Sequence, residues 1–184
     1  MKLIVGICGA SGVHYGIELL KALKEAKVET HLVLSGWAER LIGEETDYTV
    51  ADVKKLASKV YGDKEMDSAI ASSSFLVDGM IVMPATVKTV SEIANAHCGN
   101  LMARAADNML KTGKRLVVGV RETPLSAPAL ENLHKIALAG GIVMPLSPGF
   151  YHKPKEIADL TDFIVGKALD LFSISNNKYR RWNG

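Results

Sequence analysis

A chain of 184 residues, 48 % of them hydrophobic, can bury about seventy per cent of its unfolded surface in one compact domain without disulfide or metal staples. Bases and acids nearly cancel, 22 against 20 for a formal net charge of +2, and the one basic run, Lys178-Tyr179-Arg180-Arg181, is too short for a nucleic-acid footprint. Cys8 and Cys98 lie far apart with no C-x-x-C spacing, which argues against a disulfide frame and a zinc site and suits a reducing cytoplasm, and no stretch reaches the roughly eighteen apolar residues of a membrane span.

The chain opens on the apolar run Leu3 to Cys8, which is interrupted by Gly6 and leads straight into a helical pattern, so it reads as a buried strand rather than a signal peptide. Gly9-Ala10-Ser11-Gly12 follows. Glycines there admit positive φ and close approach of a ligand, and the next helix, Val13 to Ala26, would aim unpaired N–H groups at an anion, with Ser11 adding a hydroxyl. The glycine spacing is not G-x-G-x-x-G and there is no Walker lysine, so the turn is equally well a tight connection. Val28 to Leu34 is a second strand, ending in Ser35-Gly36-Trp37 before a helix from Ala38 to Gly43. Val50 to Val60 reads as a surface helix and Ala71-Ser72-Ser73-Ser74 as a loop.

Gly79 to Met83 is a third strand, ended by Pro84, and Pro84-Ala85-Thr86-Val87-Lys88-Thr89 sets two hydroxyls and an amine before a helix from Val90 to Ala94. Asn100 to Lys111 is a strongly amphipathic helix with Leu101, Ala105 and Met109 on its apolar side. Leu116 to Val120 is the fourth strand, followed by the turn Arg121-Glu122-Thr123-Pro124-Leu125-Ser126. A helix from Ala127 to Ala139, a fifth strand from Gly141 to Met144, an irregular loop from Pro145 to Pro154 and a helix from Lys155 to Phe172 complete the chain. Strands alternating with helices build a parallel sheet covered on both faces, and ligands of such sheets bind beyond the carboxyl ends of the strands. The clusters at Gly9 to Gly12, Ser35, Thr86 to Thr89, Arg121-Glu122 and Tyr151 all fall there, which points to an anionic ligand.

Together these segments resemble the flavin prenyltransferase (UbiX) family, part of the larger group of homo-oligomeric Rossmann-like flavoproteins. The resemblance covers nearly the whole chain and rests most specifically on Arg121-Glu122-Thr123-Pro124-Leu125-Ser126 and Pro148-Gly149-Phe150-Tyr151, with support from Glu45-Thr46-Asp47, Arg104-Ala105-Ala106-Asp107 and Arg181-Trp182. It implies a single-domain Rossmann-like (flavodoxin-like) α/β fold over 1–184, with 173–184 as a C-terminal tail near the active site. It further implies transfer of a dimethylallyl unit from dimethylallyl monophosphate or diphosphate to reduced FMN, supplying prenylated FMN to a UbiD-type decarboxylase. Carried over by position, Gly9, Ala10, Ser11, Ser35, Thr86, Val87, Lys88, Thr89 and Arg121 bind FMN. Lys111, Arg121, Glu122, Tyr151, Lys167 and Trp182 surround the prenyl donor. Glu122, Ser11, Glu45 and Lys111 are the catalytic candidates, and the family assembles as a homododecamer with sites at subunit interfaces.

The sequence departs from the family at two places. Ala85, Thr86, Val87 and Lys88 stand where many members have a cysteine–serine pair and a glycine, and Lys167 stands where bacterial members often carry arginine, which keeps the charge but loses the bidentate fork. Independently of the family, Lys111, Arg121 and Lys167 can neutralise a departing phosphate, and the chain lacks the aspartate-rich D-D-x-x-D motif by which ordinary prenyl transferases hold magnesium. Glu122 is a candidate to exchange a proton, Tyr151 to donate a hydrogen bond, and Trp182 and Trp37 to steady an allylic cation. Taken singly, Arg121-Glu122 is a surface ion pair, Lys111 a helix-end lysine and Tyr151 a packing aromatic. Two other readings stand beside the first: a flavin-dependent cysteine decarboxylase of the same superfamily, disfavoured because 38–43 holds no histidine, and a non-catalytic FMN carrier.

Overall fold

The computed structural model describes residues 1–182, and the last two residues of the expected C-terminal tail lie outside the described part. Six parallel strands form one sheet in the order β3-β2-β1-β4-β5-β6, with β1 at Lys2–Ile7, β2 at Glu29–Leu34, β3 at Lys59–Gly62, β4 at Gly79–Ala85, β5 at Arg115–Val120 and β6 at Ile142–Pro145. The helices are α1 (Val13–Glu25), α2 (Gly36–Glu45), α3 (Val50–Lys54), α4 (Val87–Ala94), α5 (Leu101–Lys111), α6 (Ala127–Leu138) and α7 (Ile157–Asp170).

The inner strands are apolar almost without a break because both of their faces are covered. Leu3, Val5 and Ile7 of β1, with Ile81 and Met83 of β4, turn toward α1, α2 and α7, where they meet Ile17, Leu20, Leu23, Ile42, Ile164 and Ala168. Ile4 of β1, Met80 and Val82 of β4 and Leu116 and Val118 of β5 turn the other way, onto Val90, Ile93, Leu101, Ala105 and Ile136 of α4, α5 and α6. Period two in the strands and period 3.6 in the helices thus close two separate cores on one sheet.

Three local expectations are corrected. The stretch Val50 to Val60 is not one helix: α3 starts at the reciprocal cap of Thr49 and Asp52 but ends at Lys54, and Lys59–Gly62 adds a sixth strand at the sheet edge. Long-range pairing decides this, since Tyr61 lies beside β2 with its hydroxyl 2.8 Å from His31 Nδ1, a contact no local pattern reveals. Without β3 the strand order would be the five-strand flavodoxin-like one; with it the order is that of the dinucleotide-binding sheets. Next, β4 runs through Pro84 to Ala85. The proline lacks an N–H, but its carbonyl accepts from Cys8 N at 3.0 Å and the register toward β5 shifts between Val82 and Ala85. Finally, α4 begins at Val87 rather than Val90, because the Thr86 hydroxyl caps Thr89 N at 3.1 Å, so Val87, Lys88 and Thr89 form a helical turn and not a loop.

The strand order reverses between β1 and β4, and the turn beside this point is Gly9 to Gly12. Gly12 takes φ 99°, ψ 28° as the residue before α1, a conformation that side-chain-bearing residues rarely adopt. Replacing Gly12 by Ala is therefore expected to cost about 1–3 kcal/mol of stability, read as a lower midpoint in thermal or urea unfolding.

Candidate active site

Beyond the carboxyl ends of β1 to β4 lies a cleft of ≈ 630 Å³, within the range of small-molecule sites. Gly9 comes from the end of β1, Ser35, Gly36 and Trp37 from the start of α2, Thr86 to Thr89 from the start of α4, and Asn100 and Met102 from the start of α5. A Cβ on Gly9 would stand 2.2 Å from that of Trp37, so only glycine lets the first turn press against α2.

Three helices therefore point their amino ends into one cleft, each capped locally. Ser35 Oγ accepts from Ala38 N at 3.1 Å, Thr86 Oγ1 from Thr89 N at 3.1 Å and Asn100 Oδ1 from Ala103 N at 2.8 Å. The preceding N–H groups of α2 and α4, on Gly36, Trp37, Val87 and Lys88, have no acceptor among the described residues and are the donors an anion would take. The cleft also holds Asp63, whose carboxyl is pushed up by burial while it accepts from Met102 N at 3.3 Å. Glu92 binds Lys88 Nζ at 2.6 Å and Asn100 Nδ2 at 3.2 Å, so the lysine that departs from the family pattern is already paired. The cleft floor is sulfur: Cys8 Sγ donates to Thr89 Oγ1 at 3.3 Å and touches Met102 Sδ at 3.2 Å, and burial pushes the thiol up to about 11.

The amino end of α1, like that of α5 with Asp63, is already occupied by an internal carboxylate, unlike those of α2 and α4. Glu45, the last residue of α2, accepts from Gly12 N at 2.7 Å and Val13 N at 3.3 Å. The anion seat expected at the glycine turn is thus filled from within, and the open seats are at α2 and α4. Arg121, on the loop after β5, donates from Nε to the Ser11 carbonyl at 2.8 Å, so Ser11, Glu45 and Arg121 meet around this turn. Glu122 follows as an exposed carboxylate with Oε1 accepting from Thr123 N at 3.1 Å.

A second group gathers on α7 and the segment after it. The Lys167 ammonium lies 5.6 Å from the Phe163 ring centre and 5.0 Å from that of Tyr179. The Tyr151 ring meets Phe163 edge-on at 5.8 Å and Trp182 at 5.6 Å, with Trp182 itself 71 % exposed. The residues expected around a prenyl donor are therefore brought together in the case of Tyr151, Lys167 and Trp182. Lys111 is not brought there. It pairs with Asp107 at 3.3 Å on the last turn of α5, roughly 16 Å along the helix from the Asn100 end that lines the cleft.

Sequence reasoning missed Arg40, Asp63, Glu92, Asn100 and Met102 as cleft residues, and Phe163 and Tyr179 as partners of Lys167. Asn100 had a legible signal, an asparagine just before an amphipathic run. Asp63 had none, since it directly follows β3, an edge strand that no local pattern predicts.

The chain matches the flavoprotein family over residues 1–169. A probable UbiX-like flavin prenyltransferase of Bacillus subtilis (strain 168) is 45 % identical over 184 residues, covering 100 % of this chain and 90 % of the relative. Among solved structures, AnUbiX (PadA1) in complex with FMN and dimethylallyl pyrophosphate superposes with a TM-score of 0.98 at 44 % identity, covering 100 % of this chain and 97 % of that one. A dodecameric FMN-dependent UbiX-like decarboxylase from Escherichia coli O157:H7 also superposes at 0.98, with 42 % identity and 100 % of both chains covered.

The cleft floor carries its own prediction. Buried and held as a neutral thiol, Cys8 is expected to stay unmodified by iodoacetamide at pH 8 in the folded protein and to react fully in denaturant, as read by peptide mass analysis.

Proposed function

This chain belongs to the flavin prenyltransferases of the UbiX type, and from that membership we infer that it transfers a dimethylallyl group from a dimethylallyl mono- or diphosphate to reduced FMN, making prenylated FMN for a UbiD-type decarboxylase. The observation that carries this reading is the full-length superposition on a relative holding both FMN and dimethylallyl pyrophosphate.

The residues present fit the flavin. The cleft sets the free N–H groups of two helix starts beside the Ser35 and Thr86 hydroxyls, a donor set suited to a phosphate monoester, over an apolar sulfur floor suited to a flat ring. Gly9, Ala10, Ser11, Ser35, the Thr86 to Thr89 turn and Arg121 would hold it. When bound, reduced FMN supplies an electron-rich ring whose N5 and C6 accept the five-carbon unit.

The chain's own side chains handle the donor. Arg121 and Lys167 face the phosphate that leaves, and fixed positive charge there lowers the barrier as negative charge develops on oxygen. Tyr151 donates a hydrogen bond to the same group, and Trp182 offers a π face to the allylic fragment. Glu122 exchanges the proton, its free oxygen exposed while the other is steadied by Thr123 N. Lys111 serves the phosphate from a neighbouring copy in a homododecamer, since its place at the far end of α5 leaves it outside the cleft of its own chain. Residues 173–182 belong to the same single flavoprotein domain as a tail at the donor side of the site. No helix among the described residues is long and apolar enough to cross a membrane, and we place the chain in the cytoplasm, where Cys8 and Cys98 remain free thiols.

Anaerobic incubation with reduced FMN and dimethylallyl monophosphate is expected to add one five-carbon unit to the flavin, read by mass analysis of the released cofactor. Unmodified FMN with both the monophosphate and the diphosphate would overturn the reading in favour of a flavin carrier. Glu122→Gln is expected to slow turnover by about 10²-fold or more while retaining FMN, and unchanged turnover would remove Glu122 from proton exchange.

A further inference from the structure

After α7 the chain doubles back along that helix, and one carboxylate holds it there. Asp170 receives Arg181 through both guanidinium ends, Nη1 to Oδ2 at 2.9 Å and Nη2 to Oδ1 at 2.7 Å. It also accepts from the Tyr179 hydroxyl at 2.6 Å and from Asn176 Nδ2 at 2.9 Å. Four donors nearly saturate a carboxylate, and a bidentate guanidinium fixes orientation as well as distance. The Arg181 guanidinium, with the other donors, holds the Asp170 carboxyl down at about 2, so it is ionised wherever the enzyme works.

The helix surface is shaped for the returning segment. A Cβ on Gly166 would stand 2.5 Å from the Tyr179 ring, so the tyrosine lies directly on the helix backbone only because residue 166 has no side chain. One turn on, Lys178 Nζ binds Asp162 at 2.9 Å. What this docking delivers is not burial, for Arg181 and Trp182 stay exposed. It delivers placement: Tyr179 forms one wall of the aromatic pair around Lys167, and Trp182, the neighbour of Arg181, meets the edge of Tyr151.

We propose that Asp170 is a positioning residue for prenyl transfer, clasping the C-terminal segment so that Tyr179 and Trp182 hold Lys167 and Tyr151 in the geometry that receives the donor. The inference rests on the prenyltransferase reading above. The clasp shares no residue with the strand-end cleft, so its loss falls on the donor and spares the flavin. No single contact of Asp170 touches substrate; it acts through Tyr179 and Arg181.

The test compares the wild-type protein with Asp170→Asn and Arg181→Met, the second of which leaves α7 untouched. Lys178 and Arg180, present in every protein of the series, make the segment a trypsin substrate once it is released, so both variants are expected to be clipped there about tenfold faster, read as intact mass, with an unchanged melting midpoint. In the prenylation assay the KM for dimethylallyl monophosphate is expected to rise about tenfold or more, with the Kd for FMN unchanged and Asp170→Glu restoring part of the loss. Clipping at the wild-type rate in Arg181→Met would overturn the clasp. Faster clipping with an unaltered donor KM would overturn its role in positioning. If no protein in the series prenylates FMN, the prenyltransferase reading fails, and the clipping rates still decide whether the clasp exists.

Discussion

The tie between Glu45 and the amino end of α1 is the constraint from which the site is built. Gly12 must turn left-handed for the chain to leave β1 and enter α1, and that turn exposes Gly12 N and Val13 N with no partner of their own. A carboxylate from the end of α2 satisfies both, while Arg121 Nε donates to the Ser11 carbonyl. Two charged side chains from distant elements thereby hold one short turn at the point where the strand order reverses. The cleft's N–H donors and the Glu122 carboxylate take their places from that turn, because Arg121 and Glu122 are adjacent and the strand-end cleft begins at Gly9.

The two halves of the site arise by different physics. The strand-end cleft is assembled by caps: Ser35, Thr86 and Asn100 each end a strand or loop and start a helix, and the parallel strands bring those starts together. The group around Lys167 depends on a returning segment, where a lysine is enclosed by aromatic rings and no backbone ladder fixes the arrangement. The first half is local and stiff, and the second is held by side chains reaching across α7.

This division explains what was legible. Alternating apolar strands and amphipathic helices announced a covered parallel sheet, and hydroxyl or glycine residues after Leu34 and Met83 marked where a ligand would lie. Ser35 and Thr86 could be found because a cap is a one-residue signal with a mechanism. The edge strand at Lys59–Gly62 could not, for its pairing with β2 lies outside any local window, and Asp63 was lost with it. The helix start at Val87 was obscured by β-branched residues, which a helix tolerates once Thr86 caps it. Lys111 is placed in the site by resemblance alone, and on the chain's own fold it stands at the far end of α5, paired with Asp107.

Both edges of the sheet are short, and each is blunted differently. β3 has four residues and opens on the exposed Lys59, while β6 also has four and ends in Pro145, which offers no N–H to a newcomer. Long bare edges invite strand addition between copies, and a lysine or a proline discourages it. Copies of such a chain can then meet at high concentration without their sheets fusing edge to edge. Blunted at both ends, the sheet offers no open template, so crowding does not extend it into a fibre.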